Sequence, residues 1–371
     1  MRILELTKLY YPWMGGVETI VRQIAEGLNK KDNLNIEVLC CSHKKGKRTI
    51  EEINRVKVFR AGSFGIFWGM PVSFDFFRLF RKIVKKVDVI DFHHPFPLGD
   101  LAILLFKPKK LIVHYHSDIV RQKVLTLFFK PLLLNTLKKA DIIIVSNPNL
   151  INSSPYLKRF KHKCKVVPFG VDFEKLDSCL NKEEVRKNKQ QYGDFILFLG
   201  RLNYYKGVSY LIEAVKGLDI NLLIVGEGDE KNNLIEQVKK LKMQDKVFFL
   251  PFQEREKIIN LFKAAKMFVL PSIFKSEAFG IVLIEAMACG IPIISTELKT
   301  GTSWVNKGGE TGFVVPPRDS KALKEAIEKI LQDKELAEKM SHTAEKRARE
   351  KFDLKVMLSQ IALIYQSLLK N

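Results

Sequence analysis

The segment that decides the fold is Phe195-Ile-Leu-Phe-Leu-Gly200-Arg201-Leu-Asn-Tyr-Tyr-Lys206-Gly207. A short apolar run ends in glycine, and a helical pattern begins at Gly207. A run of this length bounded by glycine reads as a buried strand. The same strand–turn–helix unit recurs along the chain. Downstream lie runs at 222–226, 247–250, 267–271, 292–296 and 312–315, with helical patterns starting at Lys231, Arg255, Gly280 and Ser320. Upstream lie runs at 2–6, 36–41, 56–61, 87–93, 110–116, 141–146 and 165–168, with a helix at 17–28. Such alternation predicts parallel sheets with helices on both faces. The charged stretch 173–193 separates the two series. A long helical pattern, 334–369, closes the chain with a break near Phe352-Asp353. The expected architecture is α/β: two Rossmann-like doubly wound domains, 1–172 and 173–350, facing a central cleft. Residues 351–371 are expected to form a helix crossing back to the first domain. Ligands in such folds bind beyond the carboxyl ends of the strands, so the cleft is the expected site.

The 371 residues suffice for two cores. Apolar residues make up 46% and charged residues 28%, which excludes a disordered or fibrous chain. No apolar run is long enough to span a membrane. Glu5 and Lys8 interrupt the opening stretch, so no secretory leader is expected. The five cysteines form no metal spacing and are expected to be reduced thiols of the cytosol. The net charge is +21. Residues 1–175 hold 31 basic and 15 acidic side chains, so most of the excess lies in the first half. That half is expected to face a polyanion or an anionic surface.

Three segments carry candidate chemistry. Gly15-Gly16 follow the first strand and open a helix, where amides approach an anion closely. The pattern is not GxGxxG, and taken alone the pair reads equally well as a tight turn. Arg201 and Lys206 place two cations at a strand's carboxyl end beside a helix start, the chemistry of a diphosphate clamp; a solvated loop with two cations is the plainer reading. In Pro271–Ala288, Glu277 lies in a loop and Glu285 inside the following helix, while Ala278 to Ile281 offer amides at the helix start. Val282, Leu283, Ala286 and Met287 flank Glu285, so its carboxylate needs polar partners if buried. His94, His114 and His116 fall near one another. Alternation puts His114 and His116 on one strand face, with a core role expected for His114 and no metal.

Taken together, Gly15-Gly16-Val17-Glu18, Gly200-Arg201-x4-Lys206-Gly207, Val225-Gly226-x-Gly228, Glu277-x7-Glu285 with Phe279-Gly280, Gly290-x-Pro292, Gly301-Thr302 and Gly309-Glu310-Thr311-Gly312 resemble the retaining glycosyltransferases of family 4, of GT-B fold. The resemblance runs in order from the first strand to about residue 330. It implies an enzyme that moves a hexose from a nucleotide-diphosphate sugar to a glycan or polyprenyl-linked acceptor. The donor would be bound by the second domain and the acceptor by the first. Arg201 and Lys206 would hold the diphosphate, assisted by Gly15, Gly16 and the amides of Phe279, Gly280 and Ile281. Glu285 would accept from the ribose and Glu277 from the transferred sugar. The base would lie near Gly226, Gly228, Phe252 and Gln253. His116 would face the donor sugar. The family implies no metal and no cofactor beyond the donor, and front-face attack with retention. Ser276–Gly280 and 295–303 look like members that transfer mannose or rhamnose in surface-polysaccharide assembly, which favours a GDP-mannose-type donor over a UDP-sugar.

At helical spacing, Arg78, Arg81, Lys82, Lys85 and Lys86 share one face of 74–87, with Phe76, Phe80, Ile83, Val84 and Val87 on the other. An ordinary helix packed on a sheet gives the same pattern. The basic face and a second basic-apolar stretch, 120–139 with Phe128 and Phe129, are expected to lie on an anionic membrane at the cytoplasmic side. A non-catalytic polyanion- or nucleic-acid-binding protein is the competing class, but no nucleic-acid motif accompanies the charge. A GT-B sugar-nucleotide epimerase and a non-enzymatic sugar-binding relative are weaker alternatives.

Overall fold

A computed structural model describes residues 1–371 except 14, 30, 32, 68, 119–122 and 369–371, and for 123–128 it describes backbone only. The chain forms two compact units, Met1–Val167 with Met357–Asn371, and Pro168–Val356. The first boundary thus falls a few residues before the charged stretch, whose helices Phe173–Ser178 and Lys182–Tyr192 both belong to the second unit.

The first unit holds an eight-stranded sheet. Across it run Cys164–Val166, Ile142–Val145, Lys110–Tyr115, Val89–His94, Arg2–Leu6, Asn35–Cys41, Val56–Ala61 and Thr49–Ile53. Seven strands are parallel. The last is antiparallel, pairing Thr49 with Arg60 and Ile53 with Val56. The sequence reading has no strand here, because Thr49–Ile53 carries two glutamates and is exposed along most of its length; only cross-strand partners such as Arg60–Glu51 hold it. A short hairpin, Ile66–Phe67 with Met70–Pro71, also escapes that reading.

The two faces of this sheet differ. One carries an apolar core in which Leu4, Phe92 and Val113 meet Phe76, Phe80, Phe96, Leu133 and Leu137. The opposite alternation carries Glu5, Asp91, His93 and His114, all buried. The chain's last helix, Leu354–Ser367, buries Met357, Leu358, Ile361, Ala362 and Tyr365 and brings the Tyr365 hydroxyl onto this polar layer. The helix before it, Lys334–Lys351, ends at Phe352, where the sequence places its break.

The helix Asp75–Ile83 continues as a single 3-10 turn, Val84–Lys86. Phe76, Phe80, Ile83, Val84 and Val87 are buried, whereas Arg78, Arg81, Lys82, Lys85 and Lys86 are exposed. Helical periodicity alone separates the two sets. Of the second basic-apolar stretch, residues 120–122 and the side chain of Phe128 lie outside the described residues. Phe129 is half-buried rather than exposed, because the helix Lys123–Lys139 packs against the helix Pro97–Leu105. Among the described residues no helix is long and apolar enough to cross a membrane.

The second unit holds six parallel strands in the order Val247–Leu250, Asn221–Val225, Phe195–Leu199, Met267–Leu270, Ile293–Thr296, Gly312–Val315. Numbered along the chain within this unit, that is 3-2-1-4-5-6, the doubly wound order. The order reverses between Phe195–Leu199 and Met267–Leu270. The loops after these two strands therefore diverge around one crevice.

Phe80 stacks 6.4 Å from Phe76 and is fully buried. Phe80→Ala is expected to cost about 3–5 kcal/mol, and Arg81→Gln, on the exposed face, less than about 0.5 kcal/mol. Urea unfolding followed by circular dichroism checks both; equal losses would contradict the facing of this helix.

Candidate functional site

In the second unit the site grows from the two strands that flank the reversal. After Phe195–Leu199 the chain makes a turn over Arg201 and a 3-10 turn, Tyr204–Lys206, then enters the helix Val208–Val215. Gly207 sits at φ +65°, and a Cβ there would lie 2.2 Å from the carbonyl oxygen of Pro271. Only glycine lets the Lys206 turn lie against the loop that follows Met267–Leu270. That close approach brings Lys206 Nζ to 2.5 Å from Glu277 Oε2, where Ser272 Oγ also donates, at 3.1 Å. Thr300 Oγ1 donates to the Glu277 carbonyl at 2.8 Å and ties in the next strand's loop.

Lys206 and Glu277 are both buried to 9% exposure. Burial alone would lower the pKa of Lys206, but Glu277 more than offsets this and the ammonium is held above its usual range. Arg201, exposed nearby, opposes this by repulsion. The sequence reading gives Lys206 and Glu277 separate ligand groups; here they are bonded to each other. An ammonium has three donors, so one bond to Glu277 leaves two for an anion.

Glu285 lies one turn and more into the helix Ile281–Ala288 and is half-buried. Its apolar flanks require a polar partner for the carboxylate, and Arg255 Nη2 approaches its Oε1 at 3.4 Å, from the helix that precedes Met267–Leu270. Burial pushes the Glu285 carboxyl up and Arg255 pulls it down, with the net shift upward. No sequence spacing marks Arg255, 30 positions away; only the packing of the helices Arg255–Ala264 and Ile281–Ala288 joins them. The Phe279 ring is a core group, edge-on to Phe169 at 4.8 Å, so only its backbone is available. Gly280 caps the helix in the left-handed region, and the first helical return bond is Leu283 N–H to the Gly280 carbonyl. The Gly226 and Gly228 loop packs on the Arg201 turn: a Cβ on Gly226 would lie 2.0 Å from the Gly200 carbonyl. Phe252 projects beyond Val247–Leu250 at 77% exposure, and Gln253 bonds back to the Pro251 carbonyl.

In the first unit Gly15 and Gly16 open the helix Gly16–Leu28, with the Glu18 carboxylate folded back onto Gly15. His116 follows the strand Lys110–Tyr115 and its N–H donates to the His94 carbonyl. The expected histidine trio is corrected by alternation along Val89–His94. His94 points to the other face and stacks on Tyr115, while His93 joins the cluster. His93 Nδ1 lies 2.9 Å from His116 Nε2, and His93 Nε2 lies 2.6 Å from Glu5 Oε2. His114 is buried, and its Nδ1 is 2.9 Å from Asp91 Oδ1. Tyr365 Oη bridges Glu5 Oε1 at 2.8 Å and Asp91 Oδ2 at 2.6 Å. Asp91, His93 and His114 hold potential ligand atoms within 4.8 Å of one another, and all three are already in this hydrogen-bond network.

Residues 14–175 match the model of Glycosyltransferase Family 4, and residues 181–347 that of Glycosyl transferases group 1. The chain is 32% identical to O-antigen chain mannosyltransferase C of Escherichia coli over the full length of both. It is 33% identical to D-rhamnosyltransferase WbpZ of Pseudomonas aeruginosa, covering 95% of this chain and 92% of that one. Among solved structures, Anabaena HepE in complex with UDP superposes with a TM-score of 0.81 at 21% identity, over 99% of this chain and 100% of that one. The two doubly wound sheets are those of a GT-B glycosyltransferase. The chain belongs to glycosyltransferase family 4 and is an enzyme of glycosyl transfer.

Removing one member of a buried ion pair strands the other. Lys206→Met and Glu277→Leu are each expected to lose about 3 kcal/mol of stability, with the double variant closer to wild type than either. Denaturant titration of the four proteins checks this; additive losses would show that the two groups are not coupled.

Proposed function

We infer that the enzyme transfers a hexose with retention from a GDP-mannose-type donor to a glycan or polyprenyl-linked glycan in cell-surface polysaccharide assembly. The observation that carries the reading is the Lys206–Glu277 pair beside Arg201, at the strand reversal of the second unit. The cations offer charge to the departing diphosphate, where negative charge grows in the transition state. Glu277 accepts from sugar hydroxyls while keeping one Lys206 donor, and so registers sugar against phosphate. Glu285, held by Arg255, accepts from the ribose. The amides of Phe279, Gly280 and Ile281 assist the phosphates, and Gly226, Gly228, Phe252 and Gln253 surround the base. In the first unit, Gly15 and Gly16 are assigned a role toward a diphosphate and His116 one toward a sugar hydroxyl. No metal or cofactor takes part in this scheme. The mannosyl and rhamnosyl activities in the names of the two relatives support the sugar class.

The first unit is the surface proposed to lie on an anionic membrane at the cytoplasmic side. Support comes from five exposed cations on 78–86 and from apolar side chains beside them: Phe74 at 70% exposure, edge-on to the exposed Phe64, and Phe67 on the short hairpin. Each cation near such a surface contributes about 1 kcal/mol.

A thermal-shift screen of GDP-, UDP- and dTDP-sugars tests the donor. GDP-mannose at about 100 times its Kd stabilises by about 2.7 kcal/mol; stabilisation by UDP-sugars alone would overturn the GDP reading. Arg201→Ala, an exposed site, is expected to lower kcat roughly 100-fold with the fold intact, and near-normal turnover would sink the clamp.

The membrane reading is tested by vesicle sedimentation. Wild-type protein is expected to bind anionic vesicles in low salt, and the variant with Gln at 78, 81, 82, 85 and 86 to stay in the supernatant. Wild type that ignores such vesicles would refute it.

A further inference from the structure

Three adjacent parallel strands of the first unit, Arg2–Leu6, Asn35–Cys41 and Val56–Ala61, end on one edge of its sheet. The loops that leave them begin at Thr7, Ser42 and Gly62. Packing ties these loops together. The Trp13 ring tilts against His43 at 5.8 Å. Gly46 and Ser63 exchange two backbone hydrogen bonds, at 3.0 and 3.1 Å. A Cβ on Gly62 would lie 2.9 Å from the Gly46 carbonyl oxygen, so the second and third loops approach as closely as glycine allows. The Asp75 carboxylate accepts from the Gly62 N–H at 3.1 Å and from Arg48 Nε at 3.0 Å, and the Arg48 bond holds that carboxyl below its usual range.

This connected edge displays two kinds of side chain. Lys44, Lys45 and Lys47 are exposed, three ammonium groups within four positions. Among the described residues no carboxylate pairs with them, whereas Arg48 is engaged by Asp75. Phe64, Phe67, Val72 and Phe74 are exposed beside them, and the Phe64 and Phe74 rings meet edge-on at 5.9 Å. Four large apolar side chains held in water are unfavourable, and an exposed apolar patch marks a surface that another molecule covers. The cations at 78–86 stand apart from this group. The helix that bears them runs from this edge back toward the amino ends of the strands, where Val89–His94 begins.

We propose that this edge is the anchor site of a lipid-linked acceptor: Lys44, Lys45 and Lys47 hold the diphosphate of a polyprenyl diphosphate, and Phe64, Phe67, Val72 and Phe74 cover the first units of its hydrocarbon chain. The inference rests on the readings that the acceptor is a polyprenyl-linked glycan and that the first unit binds it.

Chemistry selects the occupant. A free neutral glycan leaves both the lysines and the rings unmatched. A nucleotide sugar brings a diphosphate but no apolar chain. Bilayer headgroups spread single phosphates over a plane, whereas three lysines in four positions concentrate positive charge at one point. Lysine meets phosphate as a compact point charge, and a diphosphate gathers several negative charges in a small volume. A prenyl chain attached to that diphosphate supplies the apolar surface that the rings lack, and burying it against them is favourable. The position agrees, because ligands of parallel α/β sheets lie beyond the carboxyl ends of the strands. The same rings stand beside the proposed membrane face, from which such a chain emerges.

Sedimentation of the full chain with phosphatidylcholine vesicles tests this, since such vesicles carry no net charge. Wild-type protein is expected to bind vesicles doped with a long-chain polyprenyl diphosphate, to ignore undoped ones, and to be released by excess inorganic diphosphate. The combined variant Lys44→Gln, Lys45→Gln and Lys47→Gln is expected to bind the doped vesicles roughly tenfold more weakly, or worse. Phe67→Ser with Phe74→Ser is expected to weaken binding as well. All these side chains are exposed, so the fold is retained, and circular dichroism checks it. A charge-matched control, Lys239→Gln, Lys240→Gln and Lys242→Gln on the exposed surface of the second unit, is expected to bind as wild type does. Unimpaired binding by the Lys44, Lys45 and Lys47 variant overturns the proposal and leaves the acceptor reading intact. An equal loss in the control overturns it too, because net charge alone would then account for binding. So does equal binding of wild type to vesicles doped with polyprenyl monophosphate. Wild type that ignores the diphosphate-doped vesicles removes the polyprenyl-linked reading itself, and the proposal with it.

Discussion

Parallel strands cannot be joined by tight turns. Each must cross back over the sheet, so all carboxyl ends of one sheet lie along the same edge. The proposed site of this enzyme depends on that constraint. Arg201, Lys206, Glu277 and the Gly226–Gly228 loop come from three different strands of the second unit, yet all follow strand ends on one edge. Where the strand order reverses, the crossovers leave on opposite faces and the loops part. Lys206 and Glu277, 71 residues apart, meet at that point.

The first unit meets the same constraint with a different result. Its strand order reverses between Arg2–Leu6 and Val89–His94, and the register there pairs Glu5 with Asp91. Like charges in a buried layer cannot both persist, so one is neutralised. The histidines and Tyr365 supply the remaining donors and acceptors. A sheet face that would ordinarily be apolar is held together by hydrogen bonds, and its opposite face carries an aromatic core. Burying polar groups is tolerable only when each finds a partner, which ties the placement of the last helix to the electrostatics of the strand ends.

The exposed surface follows a simpler rule. On the segment Asp75–Lys86, five cations point to solvent because the apolar positions fall on the other side of the helix. Beside them Phe64, Phe67 and Phe74 remain exposed, although the Phe64 and Phe74 rings meet edge-on. Apolar groups next to a basic face are the feature on which the proposed membrane contact rests.

The sequence alone determined what depends on short-range periodicity and on residue type. The strands and helices that the sequence placed fall within one or two residues of those observed, because buried parallel strands are short continuous apolar runs and helices show their 3.6-residue stripe. The break at Phe352 and the facing of the Asp75–Ile83 helix were legible for the same reason. Arg201, Lys206, Glu277 and Glu285 were legible as chemical types beside glycine-marked turns. The tertiary structure decided which of these groups touch. Thr49–Ile53 became a strand only through its partner strand, and Arg255 became the neighbour of Glu285 only through helix packing. His93 rather than His94 joined His114 and His116, since a one-residue step along a strand turns the side chain to the other face. Glu5, Asp91 and Tyr365 carry no local signal at all. Their meeting depends on strand order and register across up to 360 positions, and nothing in the local pattern of a chain encodes which strands become neighbours.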